Sequence, residues 1–178
     1  MSETPTASND VSPEAREALW QERHNLVHGA MISYRYHRRR QRFFDLIDKL
    51  TKAATVMLGA TLLGQWFKDQ TPLFASLISG LGLISLVFSY GDRKQAHKEL
   101  SEGFMDLAGK IEGTPVKLLT DVLVAQWNTD VARLSVKEPP TLKTLAMICE
   151  HEQAVAEGQG DAFKLPPVHR RLFADIFN

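Results

Sequence analysis

Between Lys52 and Asp92 the only charged side chains are Lys68 and Asp69. They separate two charge-free runs, Ala53 to Phe67 and Gln70 to Gly91. A helix of about 20 predominantly apolar residues is long enough to cross the hydrocarbon core of a bilayer. The second run meets that length outright. The first is shorter, but Leu50 extends it, and Lys52 and Lys68 can extend their ammonium groups to the two interfaces. This pattern predicts a helical hairpin over residues 51–91 that crosses a membrane twice. A buried hairpin in a soluble bundle is the alternative, and Gln65 and the modest first run suit it. The second run does not, because a soluble helix normally turns a charged stripe to water.

The flanks are polar, and they predict helices rather than sheet. Residues 1–12 are rich in Ser, Thr, Asn and Pro and read as a disordered tail. No cleavable signal pattern precedes the hairpin, so the first apolar helix is expected to act as its own insertion signal. Ser12-Pro13-Glu14 combines an N-cap, a proline at the first helical position and an acidic first turn. A long helix over residues 13–50 is therefore expected to run into the hairpin, with Trp20, Val27, Met31 and Tyr34 as its apolar stripe and Gly29 as a possible bend.

Residues 92–178 form the second polar region. Leu100, Phe104, Leu107, Ala108 and Ile111 fall at helical spacing and can pack against the N-terminal helix. Thr114-Pro115 is read as the start of the next helix, with Leu119, Val122, Leu123, Val131 and Leu134 on its apolar face. After a break at Glu138-Pro139-Pro140, Leu142, Leu145, Ala146, Cys149 and Val155 mark another helix. Gly158 to Gly160 end it, and Pro166-Pro167 precede a last short helix. No stretch sustains the alternation of a strand. The expected fold class is all-α, a transmembrane helical hairpin with long cytoplasmic helical extensions.

Charge placement sets the expected topology. Arg35, Arg38, Arg39, Arg40 and Arg42 precede the first apolar run, and Arg93 and Lys94 follow the second. Both clusters flank the same end of the hairpin, and basic residues are retained on the cytoplasmic side. Both termini are thus expected in the cytoplasm and Lys68 to Thr71 outside, with Trp66 and Tyr90 at opposite interfaces. These arginines are read as membrane-interface residues attracted to anionic headgroups. The formal net charge of the chain is zero, and no nucleic-acid-binding fold accompanies the patch.

Recognisable reaction chemistry is scarce. His24 and His28 lie one turn apart, but no third ligand follows at zinc spacing. Glu150-His151-Glu152 lacks the HExxH pattern. Cys149 falls on an apolar face, where an inert thiol is expected. There is no P-loop, no GxGxxG and no GxSxG. Neither an enzyme nor a cofactor is expected.

The apolar runs carry more information. Projected as a helix, Ala75, Ser79, Gly82, Ser85 and Ser89 share one arc of the second run, interrupted by Ile78 and Leu86. Leucine, isoleucine and phenylalanine dominate the opposite arc. The first run carries Ala53, Met57, Ala60 and Gly64 at similar spacing. Small residues permit close helix approach. Packing within one hairpin explains them, and so does oligomerisation in which Ser79, Gly82, Ser85 and Ser89 line a polar lumen. Two helices cannot enclose a lumen, so a pore requires several subunits.

The order of segments suggests a family. YRYHRRRQRFFDLIDKL leads into the hairpin, and GDRKQAHKELSEGFMDLAGKIEG continues from it. A TPVKLL segment, EPPTLKTLAMICEHE and a closing LPPVHRRLFADIFN follow. From about Pro13 onward the chain resembles the SLATT group of two-transmembrane proteins of bacterial conflict systems, through order, spacing and hydrophobicity. The resemblance implies an anti-phage effector of the bacterial inner membrane that forms a homo-oligomeric, regulated pore and depolarises the cell. Its trigger is expected to be a phage protein, oligomeric ones included, or a nucleotide signal relayed by a partner. A membrane-anchored adaptor that recruits a partner through its cytoplasmic helices is the rival expectation.

Overall fold

A computed structural model describes residues 12–63, 71–160 and 165–175. The described residues contain helices and no strand. The first helix, α1 (Pro13–Leu63), runs without interruption from the polar N-terminal region into the first apolar run. Ser12 caps it: its Oγ accepts from the Ala15 amide at 3.2 Å and its carbonyl from the Arg16 amide at 3.0 Å. Gly29 does not break the helix. Residues 64–70 lie outside the described residues, and Gly64 and Trp66 with them.

The second apolar run forms α2 (Thr71–Phe88), and α3 (Tyr90–Glu112) follows after a single residue. That residue, Ser89, has φ 43° and ψ 51°, a left-handed conformation that side chains other than glycine rarely adopt. The chain still continues as helix. The Ser89 carbonyl accepts from the Asp92 and Arg93 amides, and Arg93 Nε donates to the Phe88 carbonyl at 3.2 Å. The stretch Pro72–Glu112 contains an 18-residue window of mean hydropathy 1.9, none of which is buried within the molecule. It is long and apolar enough to cross a membrane. In α1 the described part of the first run ends at Leu63, so two spans are not established.

Beyond the apolar runs, α1 and α3 pair along their polar halves, and α4 (Asp121–Ser135) and α5 (Lys143–Ala156) pack onto α1. A short 3-10 turn, Val116–Leu118, leads into α4, and α6 (Val168–Leu172) packs against α5. Thr114-Pro115 does not start α4. Thr120 is its N-cap, its Oγ1 accepting from the Leu123 amide at 3.3 Å, because Pro115 and Leu119 hold extended backbone on either side of the turn.

Three apolar clusters hold this part together. One joins Leu19, Leu107, Ile111, Leu119, Val124 and Trp127. The second joins Ala30, Leu100, Phe104 and Ala108, and the third sets Tyr36 of α1 against Leu145, Ile148, Cys149 and Ala174. Full burial of a large apolar side chain stabilises a fold by roughly 1.5–3 kcal/mol, so Phe104, Ile111, Trp127 and Leu145 are its main anchors.

The α3 stripe is buried as its periodicity predicts. On α1, Val27, Met31 and Tyr34 of the predicted stripe pack against the core beside the buried Leu19, Ala30, Tyr36, His37 and Phe44, while Trp20 is 40% exposed and stacks on His24. On α4, Val124 and Trp127 are buried and Val122 faces outward; on α5, Val155 does the same.

Candidate functional site

The arginine run does several things at once. Because α1 is a continuous helix here, Arg35, Arg38, Arg39 and Arg42 share one of its faces and Arg40 departs from it. Arg40 turns inward: its Nη1 donates to the Asp175 carbonyl, and its guanidinium lies 4.6 Å from the Phe44 ring centre. Burial pushes its pKa below the ordinary arginine value. Arg35 Nε donates to Gln153 Oε1 at 2.8 Å. Arg39 Nη1 lies 3.3 Å from Glu152 Oε1, and its Nε 3.9 Å from Asp175 Oδ2. Three of the five therefore hold α5 and the segment after α6 against α1. Arg38 and Arg42 are exposed and have no ion-pair partner among the described residues. The sequence assigns the run to the membrane interface, and the structure adds that part of it packs α5 and the segment after α6 against α1.

Between α1 and α5 a cavity of about 490 Å³ opens to the surface, lined by Tyr34, Arg35, Arg38, Arg39, Arg42 and Glu152. A smaller cavity of about 320 Å³ shares Arg39 and Glu152 and adds Arg171.

The second cluster basic residues behave differently. Lys94 Nζ reaches Asp45 Oδ1 at 3.2 Å, and Asp45 also pairs with Lys49 at 2.6 Å. The two lysines hold the Asp45 carboxyl below the usual range. This bridge ties α1 to α3 just beyond the apolar runs. Arg93 has no ion pair among the described residues, its Nε being used on the Phe88 carbonyl.

Sequence reasoning overlooked His37 and His97. They meet in the interior of the α1–α3 pair, Nδ1 to Nδ1 at 2.8 Å. His37 is fully buried and His97 is 4% exposed. Phe104 stacks on His37 and Phe44 on His97. Glu138, from the break after α4, brings Oε1 to 3.3 Å from His37 Nε2. One ring donates and the other accepts across the Nδ1–Nδ1 contact, and neither His37 Nε2 nor Glu138 Oε1 has a hydrogen-bond partner among the described residues. Burial, with help from His37, Arg40 and Arg93, lowers the His97 pKa from 6.5 to about 4. The signal was present in the chain: His97 continues the stripe of Leu100, Phe104 and Ile111 one turn back, and His37 stands seven residues before Phe44.

His24 and His28, the histidines that sequence singled out, lie with ring centres 6.4 Å apart. No cluster of three candidate ligands occurs among the described residues. His28 Nδ1 instead meets both Glu157 oxygens at 2.8 and 2.9 Å. Partial burial opposes ionisation of Glu157, but hydrogen bonds from Gln153 and His28 prevail and hold its pKa low. Cys149 is fully buried, and burial raises its thiol to about 11, which leaves it protonated and a poor nucleophile at neutral pH.

In the apolar half, α2 lies along the C-terminal part of α1. Its half-buried face is Phe74, Ile78, Leu81 and Ser85, at helical spacing. Gly82, Ser85 and Ser89 line a groove of about 510 Å³ together with Thr51 and Thr55 of α1. Ser79 is exposed and outside that groove, and Ala53, Met57 and Ala60 are exposed as well. Thr51 and Thr55 donate to carbonyls one turn back at 2.9 Å, and Ser89 Oγ donates to the Leu86 carbonyl at 3.2 Å. Such bonds satisfy hydroxyls without requiring water.

Comparison with protein-family models, with curated proteins and with solved structures yields no match.

Proposed function

We propose that the protein is a bacterial inner-membrane effector of the SLATT type, with both termini in the cytoplasm. In this reading it assembles into a pore that depolarises the cell on phage infection. The observation that carries the proposal is the union of α2 and α3. An apolar helix with none of its window buried continues, after one residue, into a helix packed on its buried stripe by α1 and α4. Lipid is the environment that suits the first, and water the second. Small residues that the monomer does not cover, Ala53, Ala60, Ser79 and Gly82, are free to contact neighbouring subunits.

In this mechanism the packed helices hold the apolar hairpins in a closed arrangement. A trigger that prefers the open arrangement shifts the population by its differential affinity. Induced expression with a potential-sensitive dye, with and without phage, tests it. Depolarisation on infection is expected. An unchanged potential with the protein in the membrane fraction would instead favour a membrane-anchored adaptor. Val116, Leu118 and Val122, exposed together near the start of α4, suit that second reading as a partner contact.

A further inference from the structure

We propose that the cavity between α1 and α5 binds a soluble phosphate-bearing ligand with two or more negative charges. Arg35, Arg38, Arg39 and Arg42 stand at i, i+3, i+4 and i+7, so one face of α1 carries all four. Like charges at this spacing repel. Packing relieves only part of this. Arg35 spends one donor on Gln153, Arg39 faces Glu152, and Arg38 and Arg42 have no partner among the described residues. Four guanidinium groups against Glu152 in the lining, and Asp175 reaching only Arg39 at 3.9 Å, leave the cavity positive. A fold that needed α1 only to dock α5 would not gather them here.

The donors suit phosphate in particular. A guanidinium presents a planar fork that meets two phosphate oxygens at once, which an ammonium cannot do. The cavity volume of about 490 Å³ falls within the ordinary range for small-molecule sites and exceeds what a single orthophosphate fills. Tyr34 adds an aromatic wall with a hydroxyl at its tip. Glu152 is the internal competitor, and the ligand displaces it from Arg39.

The height of the site separates a soluble ligand from a lipid headgroup, and this step rests on the membrane reading. At 1.5 Å per helical residue, Arg42 stands about 16 Å and Arg38 about 22 Å beyond Ala53, where the charge-free run begins. The headgroup layer is only about 5–8 Å deep on each side. Asp45, Asp48, Lys49 and Lys52 occupy the intervening turns and keep them out of hydrocarbon.

The test is titration calorimetry of inorganic pyrophosphate into the full chain in nanodiscs, with sodium sulfate at matched ionic strength as the control. Saturable binding is expected, weakened about tenfold or more in Arg38→Gln/Arg42→Gln, because the variant loses two charge-assisted donors. Neither side chain has a partner to lose, so the variant should keep its fold, which far-UV circular dichroism checks. Glu152→Gln should tighten binding several-fold, a gain that mere structural damage would not produce. Pyrophosphate binding that is absent, or unchanged in the double variant, overturns the site. Replacing phosphatidylcholine by phosphatidylglycerol in the disc separates the sources. Undiminished pyrophosphate affinity supports a soluble ligand, and competition by the anionic lipid would assign the cavity to headgroups and overturn the proposal. None of these results depends on whether the protein forms a pore.

Discussion

His37 of α1 and His97 of α3 share a buried contact of 2.8 Å between Nδ1 atoms, in the interior of the paired polar halves of the two helices. Glu138 closes the line on one side, and Arg40 and Arg93 add positive charge to the surroundings of His97. The contact holds two neutral rings comfortably, one donating and one accepting. Two imidazolium rings would turn both Nδ1 atoms into donors and remove the bond.

Stability should therefore fall in acid. The folded His97 pKa is lowered to about 4 from 6.5, chiefly by burial. Between these values the unfolded chain takes up a proton that the folded chain refuses, so the His97 contribution is fully present above about pH 6.5 and is lost as pH falls toward 4. The full difference is roughly 3 kcal/mol. Thermal unfolding of the detergent-solubilised chain across that window checks it. The wild type should lose Tm steadily, and His97→Gln, which keeps a hydrogen-bonding side chain without the titration, should show a shallower slope. Equal slopes would remove His97 as the cause.

Trp127 is fully buried in the cluster that joins α4 to α1 and α3, and its Nε1–H has no hydrogen-bond partner among the described residues. Two substitutions should separate its roles. Trp127→Ala removes the ring and is expected to cost about 3–5 kcal/mol. Trp127→Phe loses volume but also removes a buried donor whose desolvation costs about 1–3 kcal/mol, so the net loss should be within about 1 kcal/mol. Denaturant midpoints of the two variants give the comparison, and a Phe variant as damaged as the Ala variant would mean that the indole nitrogen is satisfied.

Ser89 carries the positive φ at the α2–α3 junction. A non-glycine residue held there stores about 1–3 kcal/mol, while glycine adds an unfolded-state entropy cost of about 0.5–1 kcal/mol. Ser89→Gly should leave the chain equally stable or up to about 2 kcal/mol more stable, and Ser89→Val should destabilise it. Thermal shifts measured side by side decide this, and a stable Val variant would show that the junction is not held in the left-handed region.

The helical class and most boundaries were legible because periodicity, caps and prolines act locally. Ser12, the α3 stripe and the break at Glu138-Pro139-Pro140 are examples. What misled were residues whose role depends on a distant partner. Val122 has the right spacing for a core position on α4, yet rotation of the helix about Trp127 turns it to 76% exposure. Trp20 looked like an anchor, but Leu19 beside it is the residue that α3 and α4 cover. The arginine run was read as one electrostatic object, although three of its members bond to residues more than a hundred positions away. His37 and His97 were hidden for the same reason, since neither is remarkable until the helices bring their rings together.

Gly82 offers the sharpest test of assembly. It lies on the exposed side of α2, at the edge of the groove with Ser85 and Ser89, and a Cβ added there meets no atom within 4 Å. The isolated subunit therefore has room for a larger side chain, and replacing glycine within a helix removes a penalty of about 1 kcal/mol. Gly82→Leu should insert into the membrane and fold as well as the wild type. If subunits pack through this face, the leucine side chain prevents their approach. Depolarisation should then disappear while the amount of protein in the membrane fraction is unchanged. Full depolarising activity in Gly82→Leu would exclude close subunit contact at this face and move the pore wall elsewhere, with the Ala53 and Ala60 side of α1 the next to substitute.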